Sequence, residues 1–164
     1  IKIAISLSSF DTPKQEKRLG LVSALCELMQ TVQNMSVRIF AKDSNFDMNN
    51  NTPLLMVGPG TGIVPFIAFS DERKHLKDSG SPIAEGHLYF GCRDVDNDFI
   101  YRNYLASMVD CGVLAKLNHA FSRSKDGSPK QYVQDLLRKD KSTIERLLRD
   151  EQGSLYLCGA TKMG

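Results

Sequence analysis

Residues 54–69, LLMVGPGTGIVPFIAF, restrict the fold more than any other stretch of the chain. Four apolar residues, Leu54, Leu55, Met56 and Val57, run into Gly58, Gly60 and Gly62, and an apolar, helix-compatible segment follows Pro65. That succession predicts a strand, a glycine-rich turn and a helix. Glycine lacks a Cβ, so these positions can take positive φ and let backbone N–H groups approach an anion closely. With the N–H groups that open the next helix, they form a candidate phosphate cradle. The spacing is G-x-G-x-G rather than the G-x-G-x-x-G dinucleotide fingerprint, and no Gly-Lys-Ser/Thr follows to make a P-loop. A purely structural tight turn has the same composition, so the rest of the chain must decide its role.

Upstream, residues 1–10 alternate loosely, with Ile3, Ile5 and Leu7 apolar, and predict a strand; residues 11–18 predict a polar loop. A helix is expected from Gly20 to about Gln30, with Leu21, Leu25, Leu28 and Met29 on one face, and VRIF at 37–40 predicts a second strand. Residues 41–53 turn polar, with Asn49, Asn50 and Asn51 in a row, and mark a boundary between residues 1–50 and 51–164. Beyond it strands and helices alternate. Strands are expected at 54–57, 87–91, 115–121 and 154–158, with helices near 65–77, 99–111, from about Gln131, and over 142–149. This pattern predicts an α/β fold, a parallel sheet with right-handed crossovers flanked by helices. Ligands of such sheets bind beyond the carboxyl ends of the strands.

Four of those ends carry distinctive residues: the glycine turn with Thr61, Cys92-Arg93, Ser122-Arg123 and Cys158-Gly159. Arg93 suits a pyrophosphate, and Ser122 with Arg123 a phosphate monoester. Lys130, Tyr132 and Gln134 alternate just beyond, adding a charge, a stacking ring and an amide. The grouping suits a 2′-phosphorylated adenosine ribose. The acid expected about 20 residues past the glycine turn for NAD is claimed only by Asp78, at a helix end. A solvated basic loop is the competing reading of 122–134, and a small buried hydrophobe that of Cys158.

Composition excludes several classes. The 21 Lys and Arg against 19 Asp and Glu give a net charge of +2, with the signs interspersed, so nucleic-acid binding is not indicated. Cys26, Cys92, Cys111 and Cys158 form no C-x-x-C pair, and His75, His87 and His119 stand singly, so neither a metal site nor a disulfide framework is expected. Reduced thiols, no signal-peptide pattern and no run of 18 apolar residues suit a cytoplasmic setting without membrane contact in this segment. The opening Ile1 and the close at Gly164, just after a Cys-Gly turn, suggest a piece of a longer protein.

MVGPGTGIVPFIAF, LYFGCRDVDNDFIYRNYL, AFSRSKDGSPKQYVQDLL and LYLCGATKMG, in this order and spacing, resemble the ferredoxin-NADP reductase superfamily and, within it, the diflavin reductases. The resemblance covers about two-thirds of the chain. It implies an NADPH-binding domain over residues 51–164, truncated at its C-terminus, preceded over 1–50 by the tail of an FAD-binding β-barrel. Gly20, Leu21, Val22 and Ser23 are similar to the family's G-x-x-S/T at a helix start on the FAD pyrophosphate. The resemblance sets Gly60, Thr61 and Gly62 beside nicotinamide and pyrophosphate, Arg93 on the pyrophosphate, and Ser122, Arg123, Lys130, Tyr132 and Gln134 around the 2′-phosphate and adenine. Cys158 takes the catalytic place beside the nicotinamide C4, where hydride passes to FAD. Ala160 replaces an Asp that many relatives carry, and FMN is implied in a domain outside this chain.

FGCR at 90–93 and GVLAKLNHAFSR are most similar to the methionine synthase reductases. That likeness implies electron delivery to cobalamin-dependent methionine synthase, in methionine biosynthesis. The cytochrome P450 reductases and sulfite reductase flavoproteins share the same core motifs and remain alternatives, as does a catalytically silent nucleotide-binding or interaction module.

Overall fold

The computed structural model describes residues 4–32, 35–36, 38–40, 42–43 and 46–160. The chain divides into two units, Ile1–Asp47 and Met48–Gly164. In the first, β1 (Ser9–Asp11) pairs antiparallel with β2 (Lys17–Leu19), Phe10 opposite Arg18, and α1 (Leu21–Thr31) follows directly. The strand predicted over 1–10 is therefore corrected. Its partner is three residues long, so only residues 9–11 find ladder bonds, residues 4–8 carry no strand, and 1–3 lie outside the described residues. Of the strand predicted at 37–40, Val37 lies outside the described residues. Arg38, Ile39 and Phe40 belong to no strand, and Ile39 and Phe40 are exposed.

The second unit is built on β3 (Leu54–Val57), buried along its whole length. A strand with no polar side chain must be covered on both faces, and the topology provides that. β4 (Gly86–Cys92), β5 (Lys116–Phe121) and β6 (Ser154–Leu157) join it in a parallel sheet of order β5-β4-β3-β6. Leu54 lies opposite Gly86 on one side and Ser154 on the other, and Cys92 opposite Phe121.

A 3-10 turn (Gly60–Ile63) leads into α2 (Val64–Asp78), and α3 (Arg102–Asp110) follows β4. Both connections step from β3 towards β5. The chain then returns past β3 to β6, through α4 (Val133–Lys139), α5 (Lys141–Glu145) and a π-turn (Arg146–Asp150), where a single helix over 142–149 was expected. With every crossover right-handed, reversing the direction puts these last elements on the opposite face from α2 and α3. Side-chain alternation agrees. Leu55 and Val57 cluster with Tyr89, Val133 and Leu147, whereas Phe69 of α2 meets Tyr156, which lies opposite Met56. Beside β6 the α4–α5 face stays open as an apolar groove of about 600 Å³, with Leu155 and Leu157 exposed in it.

The amino edge of the sheet is held by polar staples. Arg73 of α2 is 1% exposed; its Nε and Nη2 donate to the Val113 carbonyl at 3.3 and 3.1 Å, and Nη2 also to Ala84 O. Burial lowers the pKa of this guanidinium. Tyr89 donates to Asp140, which also pairs with Lys116, and Arg146 bridges Glu85 and Glu151 while Glu85 meets His87 at 2.6 Å. No helix among the described residues is long and apolar enough to cross a membrane.

Candidate nucleotide-binding site

The strand order reverses between β3 and β6, and open parallel sheets usually hold their ligands in the crevice beyond the carboxyl ends at such a reversal. There the three turn glycines do different work. Only Gly60 has positive φ, 58°. It is exposed, and an added Cβ would meet nothing within 4 Å, so its backbone faces open space. At Gly58 a Cβ would strike Gly62 O at 2.6 Å and the Phe66 ring at 2.7 Å. At Gly62 it would lie 2.0 Å from Cys158 O and 3.1 Å from Gly159 Cα. Gly62 is thus the point at which the end of β6 closes on the start of α2. The N–H groups of Gly58 and Gly62 are already bonded, to Tyr89 O and Pro59 O, both at 3.0 Å. Those of Gly60 and Thr61, which open the 3-10 turn, have no acceptor among the described residues. The phosphate cradle expected of three glycines reduces to these two N–H groups.

The ladder continues past β4 and β5. Ser122 N–H donates to Cys92 O at 3.0 Å and Arg123 N–H to Arg93 O at 2.7 Å, so Arg93, Ser122 and Arg123 share one rim. Ser122 Oγ turns inward to Cys92 O at 3.5 Å. Arg93 is exposed, its Nε 3.0 Å from Asp98 Oδ2. Arg123 and Lys130 are exposed and have no ion pair among the described residues. Gln131 N–H returns to Phe121 O at 3.0 Å, closing residues 122–130 into a loop that keeps Lys130 near the end of β5. Tyr132 precedes α4, its N–H on Asp135 Oδ2 at 2.9 Å, with its ring about half exposed; Gln134 is exposed on the first turn of α4.

Cys158 is half-buried, its N–H on Val57 O at 3.0 Å. Ala160 follows, exposed. Cys92, at the end of β4, is pushed up to about 11 by burial and then by the Asp98 carboxylate, so it stays a thiol at neutral pH. Asp78, the one acid that could have signalled NAD, closes α2. That helix runs back to the amino edge of the sheet, away from the crevice, and Asp78 pairs there with Lys74. No group of His, Cys, Asp or Glu among the described residues could hold a metal ion.

Gly20, Leu21, Val22 and Ser23 belong to the first unit. Gly20 precedes α1, Leu21 and Val22 are exposed, and Ser23 is buried with its Oγ accepting from Ser8 N–H at 2.8 Å. The residue that sequence reasoning missed is Asp94, buried at the rim and accepting from Asp96 N–H, Asn97 N–H and Asn97 Nδ2. An Asp with Asn three residues on was the available local signal for a turn; nothing local marked the burial.

Residues 56–164 match the family described as Oxidoreductase NAD-binding domain, and the chain belongs to that family. It is similar to NADPH–cytochrome P450 reductase of Musca domestica, 36% identical over 165 positions, covering 99% of this chain and 24% of that protein. The same-named proteins of Oryctolagus cuniculus and Salmo trutta are 43% identical over 125 residues and 46% over 109, covering 75% and 66% of this chain and 18% of each relative. The chain thus spans a quarter or less of the curated relatives it matches. These relatives support the reductase resemblance but not its refinement towards methionine synthase reductase; they favour the P450 reductase alternative.

Proposed function

We propose that this chain is the NADPH-binding portion of a diflavin oxidoreductase, preceded over residues 1–50 by the end of its FAD-binding domain. The observation that carries this reading is the shared carboxyl edge. Along that edge stand the free N–H groups of Gly60 and Thr61 after β3, Arg93 after β4, Arg123 and Lys130 after β5, and Cys158 after β6. When bound, NADPH supplies a hydride from its nicotinamide ring. The chain's own residues bind and orient it. Gly60 and Thr61 N–H with Arg93 take the pyrophosphate; Ser122, Arg123 and Lys130 take the 2′-phosphate; Tyr132 and Gln134 take the adenine side. Cys158, fixed against Gly62, sets the place of the ring at which hydride leaves. The first N–H groups of α1 suit an FAD phosphate, although the Ser23 hydroxyl already serves Ser8. FMN belongs to a domain outside this chain, and a cytoplasmic setting goes with the same proposal.

For the electron acceptor, the named relatives favour a cytochrome P450 over methionine synthase or sulfite reductase. Ala160 favours a second reading, a silent nucleotide-binding module. Full-length protein that neither bleaches its flavin nor reduces ferricyanide with NADPH would establish it. Arg123→Ala tests the main reading. It should weaken NADPH by roughly 1.5 to 3 kcal/mol, the worth of a hydrogen bond to a charged group, and barely alter NADH; equal losses for both sink the 2′-phosphate assignment.

A further inference from the structure

A negative charge at the rim of a site for a polyanion is costly unless it is engaged locally. Asp94 is the only buried carboxylate among the described residues, 6% exposed, and it stands two residues past the end of β4. Its Oδ1 accepts from Asp96 N–H at 3.1 Å, Asn97 N–H at 3.3 Å and Asn97 Nδ2 at 2.6 Å, and its carbonyl accepts from Asp98 N–H at 3.1 Å. These bonds fold residues 94–98 into a turn that brings Asp98 Oδ2 to 3.0 Å from Arg93 Nε. Among the described residues only Nε is engaged by a carboxylate, so the terminal Nη atoms of Arg93 remain available to an anion. From the other loop, Lys125 Nζ stands 4.0 Å from Asp94 Oδ1, so one carboxylate touches both loops of the rim.

We propose that Asp94 is a positioning residue: by folding the 94–98 turn it holds Asp98 against Arg93 and aims the Arg93 guanidinium at the nucleotide's phosphates. The inference rests on the nucleotide reading above. An exposed arginine loses rotamer freedom on binding an anion, and holding it in place beforehand removes part of that cost. The worth of one such side chain corresponds to about three- to tenfold in affinity. The Lys125 contact is long and solvated and contributes little.

The test is calorimetric titration of the full chain with NADP⁺, on wild type, Asp94→Ala, Asp94→Asn, Arg93→Ala and the Asp94→Ala/Arg93→Ala pair. Asp94→Ala is expected to lose about three- to tenfold. Asp94→Asn keeps the Oδ1 acceptor and stays within about twofold of wild type. In the Arg93→Ala background Asp94→Ala costs less than about twofold, whereas a merely structural residue costs the same in both backgrounds. If Asp94→Ala fails to fold, Asp98→Ala leaves the turn bonds in place and carries the same comparison. An unchanged affinity, or an equal loss in both backgrounds, overturns the role of Asp94. Wild type that binds no NADP⁺ overturns the nucleotide reading and this inference with it; Arg123-dependent binding that Asp94→Ala leaves unchanged overturns the inference alone.

Discussion

Replacing Gly62 by Ala should be far more damaging than replacing Gly60, although the two glycines look equivalent in the motif. A Cβ at Gly62 would sit 2.0 Å from Cys158 O and 2.7 Å from Cys158 C. Both are backbone atoms at the end of a paired strand, so no side chain can swing away. Normal contact requires the end of β6 to move off α2 by roughly 1 Å in a close-packed interior. The Cys158 N–H to Val57 O bond, now 3.0 Å, would be strained or lost. Overpacking costs about 1 to 3 kcal/mol and the hydrogen bond about 1 kcal/mol, so Gly62→Ala should destabilise by about 2 to 4 kcal/mol. At Gly60, with φ 58° and nothing within 4 Å, the penalty is conformational alone, about 1 kcal/mol. Urea unfolding of the two variants measures both as shifts in midpoint at constant slope. Gly60→Ala should also weaken NADP⁺ in its folded state, because the new methyl enters the crevice. A Gly62→Ala midpoint equal to or above that of Gly60→Ala would refute the packing of Cys158 against the turn.

Three further outcomes follow from the same geometry. On the proposed reductase reading, Cys158→Ala in the full-length protein should slow hydride transfer from NADPH with little change in nucleotide affinity; an unchanged rate in single-turnover measurements reduces Cys158 to a packing residue. Arg73→Ala leaves the Val113 and Ala84 carbonyls without their buried donor and vacates a large side chain, so it should cost about 3 kcal/mol by chemical denaturation; a loss under about 1 kcal/mol contradicts the staple. Glu85 is held below the usual carboxylate range, first by His87 and then by Arg146, and Asp140 first by Lys116 and then by Tyr89. Groups depressed in the folded state add stability above their unfolded pKa values, near 4, and withdraw it as pH falls through the folded values. These two carboxylates should therefore add no pH dependence between pH 7 and about 5 and a falling midpoint below that, and Glu85→Gln with Asp140→Asn should shrink the fall below pH 5; an undiminished fall removes them from the account.

The second unit was legible because its strands lack choices. Leu54, Leu55, Met56 and Val57 have no polar face to offer solvent, so a parallel strand covered on both sides was the economical reading, and β4, β5 and α2 appear within a few residues of expectation. The rim residues Arg93, Ser122 and Arg123 were legible for the same reason, each following directly on a strand. What the sequence hid was pairing and burial. Residues 4–8 and 38–40 have strand-like composition, but ladder bonds depend on a partner that local pattern does not specify. Gly62 could not be told from Gly60, because one is dictated by the carbonyl of Cys158, nearly a hundred residues away in sequence. Asp94 looked like one acid among the polar residues after β4, and its burial arises only when the turn closes over it.

Calorimetric titration of the chain with 2′,5′-ADP and, in parallel, 5′-AMP decides whether the carboxyl edge of this sheet holds a 2′-phosphorylated nucleotide. The account predicts clear preference for 2′,5′-ADP, abolished by Arg123→Ala. Equal binding of the two ligands, or binding of neither by a folded sample, would contradict it.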